Sequence, residues 1–281
     1  MKSNNNFYTN LVNKLKKSPI QFDDFLKILL EHKGRFFDNP ELEFELLLSN
    51  GFPIDIEDDK VFLKTTKTKI EDQTFCIVDI ETNGGHVSKG HQVIEIGAVK
   101  YKNSKIIDSF ESLVYAKDIP EYIQGVTNIT PSMLEDAPVL DKVLEEFKIF
   151  LEDDVFVAHD IKFDYNFISN SLEKCNLGKL YNRKLCTIDL ARRTIKAEKY
   201  GLKSLKEVLN IDIDNHHRAY SDALSTTYIL QEAIKQLDSN IVTVEDLIDF
   251  SKKAKPVMPK IKVNHGKKED KEKVENDVYT R

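Results

Sequence analysis

Apolar positions recur at helical spacing three times in the first seventy residues, in "FYTNLVNKLKK", "FDDFLKILLEH" and "PELEFELLLSNG". This spacing predicts three amphipathic helices. Two short extended pieces in "PIDIEDDKVFLKT" then predict a hairpin. Three helices and a hairpin point to a small winged-helix-like module over residues 1–70. From Thr74 the period changes. "TFCIVDIET", "QVIEIGAVKY" and "KIIDSFESLVY" follow in close succession and predict adjacent strands, the first buried on both faces. Next come a helical "SMLEDAPVLDKVLEEFKIFLED", a strand "VFVAHD" and a helix "KFDYNFISNSLEKCN". "KLCTIDLARRTIK", "LKSLKEVLN" and the long amphipathic "SDALSTTYILQEAIKQLD" complete the stretch. Alternating strands and helices over residues 71–240 imply an α/β domain with a mixed sheet. Residues 241–281 read as a short helix and a disordered Lys-rich tail.

Composition changes this picture little. The chain has 281 residues, 41% of them hydrophobic, enough to bury a sizeable core. Cys76, Cys175 and Cys186 lie far apart and form no C-x-x-C pair, so neither a zinc knuckle nor a disulfide framework is expected. The polar start "MKSNNNFYTN" and the lack of any run of about 18 apolar residues argue against secretion and membrane insertion. The expected location is the cytoplasm, with no membrane partner.

Charge changes it more. The net charge is -6, but residues 251–281 carry a surplus of five positive charges, which leaves -11 on the rest. A body this acidic does not grip nucleic acid by bulk charge, so an anionic substrate must be held locally, by metal ions or a few basic groups. The third helix carries three Glu and no Lys or Arg in "ELEFELLL", which argues against reading a DNA groove and for burial against the next domain or a protein partner.

The candidate chemistry begins with Asp79 and Glu81 at the end of the first buried strand. Side chains two apart on a strand project to the same side, and two like charges there repel unless a cation lies between them. "VFVAHDIKFDYNFI" ends a strand at His159 and Asp160 and places Asp164 in the first turn of the following helix. In "HHRAYSDA", Asp222 opens the last long helix and His217 sits five residues earlier on the entering loop. Four carboxylates and one histidine thus converge from separate segments. Hard oxygen donors without cysteine favour magnesium or manganese over zinc.

In order and spacing these blocks resemble the DEDDh (DnaQ-like) family of 3′–5′ exonucleases, the group of the epsilon proofreading subunit of bacterial DNA polymerase III. "VDIETNG", "VAHDIKFDYNFI" and "HHRAYSDA" are similar to its three motifs, with "QVIEIGAV" and "QGVTNITPSML" as supporting matches. The resemblance covers roughly residues 74–238. It implies a ribonuclease H-like mixed sheet flanked by helices and an exonuclease domain over 71–240. It further implies hydrolysis of single-stranded DNA 3′ ends to nucleoside 5′-monophosphates, in replication proofreading or repair. Two Mg2+ (or Mn2+) ions would be held by Asp79, Glu81, Asp164 and Asp222, with His217 as general base. Thr82, Asn83, Gly84, Val126, Thr127, His159 and Phe163 become candidates to hold the strand. One departure is visible: the family usually carries Asn where this chain has Asp160, which adds a carboxylate beside the metals.

The implied partners are single-stranded DNA ends and a DNA polymerase catalytic subunit or other replisome protein. Two rival readings stay open: the same chemistry on RNA, and a non-catalytic docking or scaffold protein. For His159 and Phe163, packing in the core competes with substrate contact. His216 reads as a loop histidine. "VEDLIDF" loosely resembles sliding-clamp peptides but lacks the first anchoring Gln, and Thr243 with Asp246 explains it as an ordinary helix start.

Overall fold

Two sheets organise the chain in a computed structural model that describes residues 2–213 and 217–258. The first belongs to the N-terminal part: α1 (Lys2–Leu15), β1 (Ile20–Gln21), α2 (Phe22–Glu31), α3 (Pro40–Ser49), β2 (Ile54–Glu57) and β3 (Lys60–Leu63). The strands form an antiparallel sheet in the order β1-β3-β2. Asn39 caps α3 by accepting the Leu42 N–H at 2.9 Å, and Pro40 at its first position needs no partner for a missing N–H. The β2–β3 hairpin turns at Asp58 and Asp59, both at positive φ (50° and 58°), the conformation a tight right-twisted hairpin requires. Phe25, Leu29, Phe44, Leu47, Phe52, Val61 and Leu63 close this part's own core.

The second sheet has five strands. β4 (Phe75–Thr82), β5 (Val93–Lys102) and β6 (Lys105–Leu113) are antiparallel neighbours, and β7 (Val155–Ala158) and β8 (Lys184–Cys186) add in parallel, in the order β6-β5-β4-β7-β8. The connection from β6 to β7 carries α4 (Glu121–Thr127), α5 (Pro131–Leu134) and α6 (Leu140–Leu151). The single helix expected from Ser132 onward is therefore two. Pro138 lacks an N–H and disfavours helical geometry at Ala137, so the chain breaks between α5 and α6. Then follow α7 (Ile161–Lys174) after β7, α8 (Thr187–Thr194) after β8, and α9 (Leu202–Leu209), α10 (Ala219–Lys235) and α11 (Val244–Lys253).

Strand alternation divides the core. Phe75 and Ile77 of β4 face a cluster built with α8, α10 and α11, whereas Cys76, Val78 and Ile80 face one built with α6 and α7. Each such fully buried aliphatic or aromatic side chain contributes roughly 1.5–3 kcal/mol. α11 lies in the first cluster through Val244, Leu247 and Ile248. Its start is a capping box: Thr243 Oγ1 accepts the Asp246 N–H at 3.2 Å, and the Asp246 carboxylate accepts the Thr243 N–H at 2.9 Å. The Lys-rich tail from residue 259 lies outside the described residues, as does His216. All three cysteines are free thiols.

The N-terminal part meets the large sheet's domain through polar and aromatic contacts. The Tyr181 N–H donates to Asn50 O at 2.7 Å, Lys148 Nζ to Asn50 Oδ1 at 2.8 Å, and the Tyr8 and Tyr181 rings lie 4.1 Å apart. Lys16 reaches Glu245 at 2.9 Å. Among the described residues no helix is long and apolar enough to cross a membrane.

Candidate active site

The row that Phe75 and Ile77 begin on β4 continues as Asp79 and Glu81, so both carboxylates stand on the face covered by α10. Opposite them on β5, in register, are Gly97 and Glu95, and the ladder slips just beyond, between Glu81 and Thr82. Asp164 lies in the first turn of α7 and Asp222 in the first turn of α10, each 6% exposed. His217 is held by its backbone. Its φ is 61°, and its N–H donates to Asp222 Oδ2 at 3.1 Å. Ligand atoms of Glu81, His217 and Asp222 all fall within 4.8 Å of one another.

Burial and mutual repulsion act on these carboxylates together. Burial, then Asp164, Asp222, Glu81 and Glu95, push Asp79 well above the ordinary carboxylate range. Glu81 is raised by burial and by Asp222, Glu95 and Asp164, and Arg218 offsets this only in part. Asp164 is pushed up to about 8, by burial first and then by Asp160, although its own N–H and that of Ile80 favour its charged form. Hard oxygen donors and one imidazole, crowded until they repel, fit a divalent cation.

The exonuclease family model, described as RNase_T, matches residues 76–230, which span every one of these side chains. The chain belongs to the exonuclease family. It is a DnaQ-like 3′–5′ exonuclease, with an ribonuclease H-like mixed sheet flanked by helices. It is 36% identical over 201 residues to the PolC-type DNA polymerase III of Staphylococcus haemolyticus, covering 70% of this chain but 13% of that one. The Staphylococcus epidermidis counterpart is 34% identical over 211 residues, 74% of this chain and 14% of that protein. The exonuclease thus spans about an eighth of the curated relatives it matches. Among solved structures, exonuclease X in complex with 5′ overhanging duplex DNA aligns with a TM-score of 0.51 and 24% identity, over 63% of this chain and 99% of that one. Exonuclease I of E. coli in complex with a dA16 oligonucleotide aligns with a TM-score of 0.52 and 16% identity, over 64% and 43%. At these identities the structural likeness concerns the fold.

Around the exonuclease centre, the expected strand-holding residues divide. Thr82 is buried at the end of β4. Asn83 braces the following loop: its Oδ1 accepts the Gln92 N–H at 2.7 Å, and its N–H donates to Gln92 O at 3.0 Å. Gly84 is required there because a Cβ would stand 2.6 Å from the His91 ring. Phe163 lies half-buried against Phe167, ring centres 5.6 Å apart, and lines an open groove of about 840 Å³ with His86 and Lys162. Val126 is half-buried on α4. Thr127, by contrast, is fully buried, and its hydroxyl donates to Ile123 O at 2.9 Å and accepts the Ile129 N–H at 3.1 Å. It closes a helix and presents nothing to a strand. His159 likewise ties elements together: its ring nitrogens lie 2.8 Å from Thr187 Oγ1 and 3.0 Å from Tyr200 O. Burial lowers its pKa to about 4, the behaviour of a neutral packing bracket. Asp160 precedes α7 at a φ of 122°, a strained position for a residue with a side chain, and its carboxylate raises Asp164.

Two residues inside the matched blocks are given no role by the motif reading. Glu95 is fully buried and is paired bidentately by Arg218, at 2.7 Å from Nη2 to Oε1 and 3.0 Å from Nε. A charged residue inside the apolar run "VIEIGAV" requires a buried partner, and that requirement is the cue the sequence offers.

Proposed function

We propose that this exonuclease removes nucleotides one at a time from the 3′ ends of single-stranded DNA. The observation that supports the reading is the meeting of Glu81, His217 and Asp222 within 4.8 Å, with Asp79 raised by burial and by the charges of Asp164, Asp222 and Glu81. In this reading the four carboxylates hold two Mg2+ or Mn2+ ions, which when bound supply the positive charge that phosphodiester hydrolysis requires. His217, fixed by its backbone bond to Asp222, takes the proton of the attacking water. Phe163 in its open groove and the half-buried Val126 would offer apolar surface for terminal bases, a contact indifferent to sequence. Product is a nucleoside 5′-monophosphate and a strand shorter by one unit.

We further read residues 1–70 as a winged-helix-like docking module and 71–240 as the catalytic domain, working beside a DNA polymerase subunit in the cytoplasm. The resemblance to part of a PolC-type DNA polymerase III supports that context. Single-stranded DNA and RNA of one sequence, labelled at the 5′ end, would be incubated with the purified chain in magnesium and in chelator. Stepwise shortening of the DNA alone, abolished by chelator, is the expected result. Shortening of the RNA alone would move the activity to RNA, and no shortening of either would leave a docking protein.

A further inference from the structure

We propose that Glu95 is a positioning residue of the catalytic centre, acting through Arg218 to set where His217 and Asp222 stand against Glu81; this rests on the proposed metal-dependent reading of the site. Glu95 is the cross-strand neighbour of Glu81 and is 0% exposed. Both of its oxygens are occupied. Arg218 Nε lies 3.0 and 3.2 Å from Oε1 and Oε2, Arg218 Nη2 lies 2.7 Å from Oε1, and the Ala219 N–H donates to Oε2 at 3.0 Å. All these donors come from the two residues directly after His217, where the chain enters α10. One pleat further along, Gly97 touches the same place. A Cβ there would lie 2.1 Å from Tyr220 N and 2.3 Å from Ala219 C. β5 therefore grips the entrance of α10 at two points on one face, and the residues paired with those points on β4 are Glu81 and Asp79.

A stability role alone accounts poorly for this arrangement. A buried ion pair contributes little net stability compared with an apolar pair of similar size, whereas a bidentate guanidinium–carboxylate fork fixes direction. Fixed direction is what the loop needs. His217 is in left-handed backbone geometry, and Asp222 accepts its N–H, so a small rotation of the α10 entrance would move both side chains away from Glu81.

The test uses the full chain, with Mn2+ as the probe, titrated in the absence of nucleic acid and followed by electron paramagnetic resonance. Rates on a single-stranded DNA oligonucleotide are measured beside it, with kcat and KM resolved. Glu95→Gln keeps the shape of the buried side chain and removes its charge; Arg218→Lys, at the more exposed partner, keeps the charge and removes the fork. Partners that orient ligands are worth about 10- to 100-fold in metal affinity or activity. Both variants are expected to bind Mn2+ at least about tenfold more weakly and to lose a similar factor in kcat, with KM for the oligonucleotide nearly unchanged. If Glu95→Gln does not fold, Arg218→Lys decides alone. A folded Arg218→Lys protein with parental Mn2+ affinity and kcat would overturn the positioning role. Asp79→Ala is run in parallel. If it is inert while Arg218→Lys is parental, the positioning role falls and the reading of the site stands. If Asp79→Ala is as active as the parent, that reading falls and takes the positioning role with it.

Discussion

Glu245 and the clustered carboxylates of the candidate site are both withdrawn from solvent and treated in opposite ways. Glu245, 6% exposed on α11, receives Lys16 at 2.9 Å, Arg183 at 2.5 Å and the Thr65 hydroxyl at 2.8 Å. Burial pushes it upward, but Arg183, Lys16 and Thr65 together hold it below the ordinary range. Asp79 is pushed upward by burial and by Asp164, Asp222, Glu81 and Glu95. A carboxylate whose cations come from its own chain is a joint between parts. A group of carboxylates crowded until they repel fits a divalent cation.

The largest effect is expected at the crowded site. Asp79→Ala should lower kcat by at least about a thousandfold, since several kcal/mol of charge stabilisation are lost with a central ligand. Its fold should survive, and in chelator its melting temperature should equal or exceed the parent's, because one repelling charge is gone. A folded Asp79→Ala protein with activity within tenfold of the parent would contradict the contrast drawn here. His217→Ala comes next, with a loss of about 10²- to 10⁴-fold in rate, little change in Mn2+ affinity, and partial recovery at raised pH, where hydroxide replaces the base. A fall in Mn2+ affinity matching the fall in rate would make His217 a ligand.

At the compensated site the effect moves from rate to stability. Glu245→Gln takes the carboxylate away from Arg183 and leaves Lys16 with Asp249 alone, and because these cations are 14% and 21% exposed the loss should be about 2 kcal/mol, below that of a fully buried pair. Urea midpoints would show it, with kcat per folded molecule unchanged. Reduced kcat would mean that the joint reaches the active site.

The last effect is in pH. Asp79, Glu81 and Asp164 have raised pKa values when folded, Asp164 about 8, so without metal the folded state binds more protons than the unfolded one and stability falls as pH rises from about 4 to about 8. Glu245 has the opposite sign: its contribution is present above the unfolded carboxylate pKa and is lost as pH falls through its lowered folded value. Thermal unfolding in chelator across this range should therefore slope downward, less steeply in Asp79→Asn, and added Mn2+ should flatten it. Equal slopes for parent and Asp79→Asn would remove Asp79 from the coupled group.

Periodicity made much of this legible. Alternation alone predicts that Asp79 and Glu81 share a face, and helix starts place Asp164 and Asp222 in first turns, as found. What could not be read were properties of side-chain surroundings. Thr127 and His159 sit in motif-like positions, yet their hydrogen bonds are consumed inside the fold, which spacing does not reveal. Glu95 and Arg218 are 123 residues apart and meet only because β5 passes under the entrance of α10. Pro138 was visible, but the helical periodicity on both sides of it concealed the break between α5 and α6.

The strands of chain that enter and leave the large sheet's domain run side by side. Lys69 pairs with Thr243 in an antiparallel bridge, the Ile70 N–H donates to Val242 O at 3.1 Å, the Val244 N–H donates to Thr68 O at 3.0 Å, and Thr65 bonds Glu245 just beyond. Fastened together, the two segments close a loop of chain that holds all five strands of the large sheet and its helices through α10, with α11 packed back onto the same core. Force pulled along the polypeptide would load this clasp first and leave β4, with its carboxylates, unstretched.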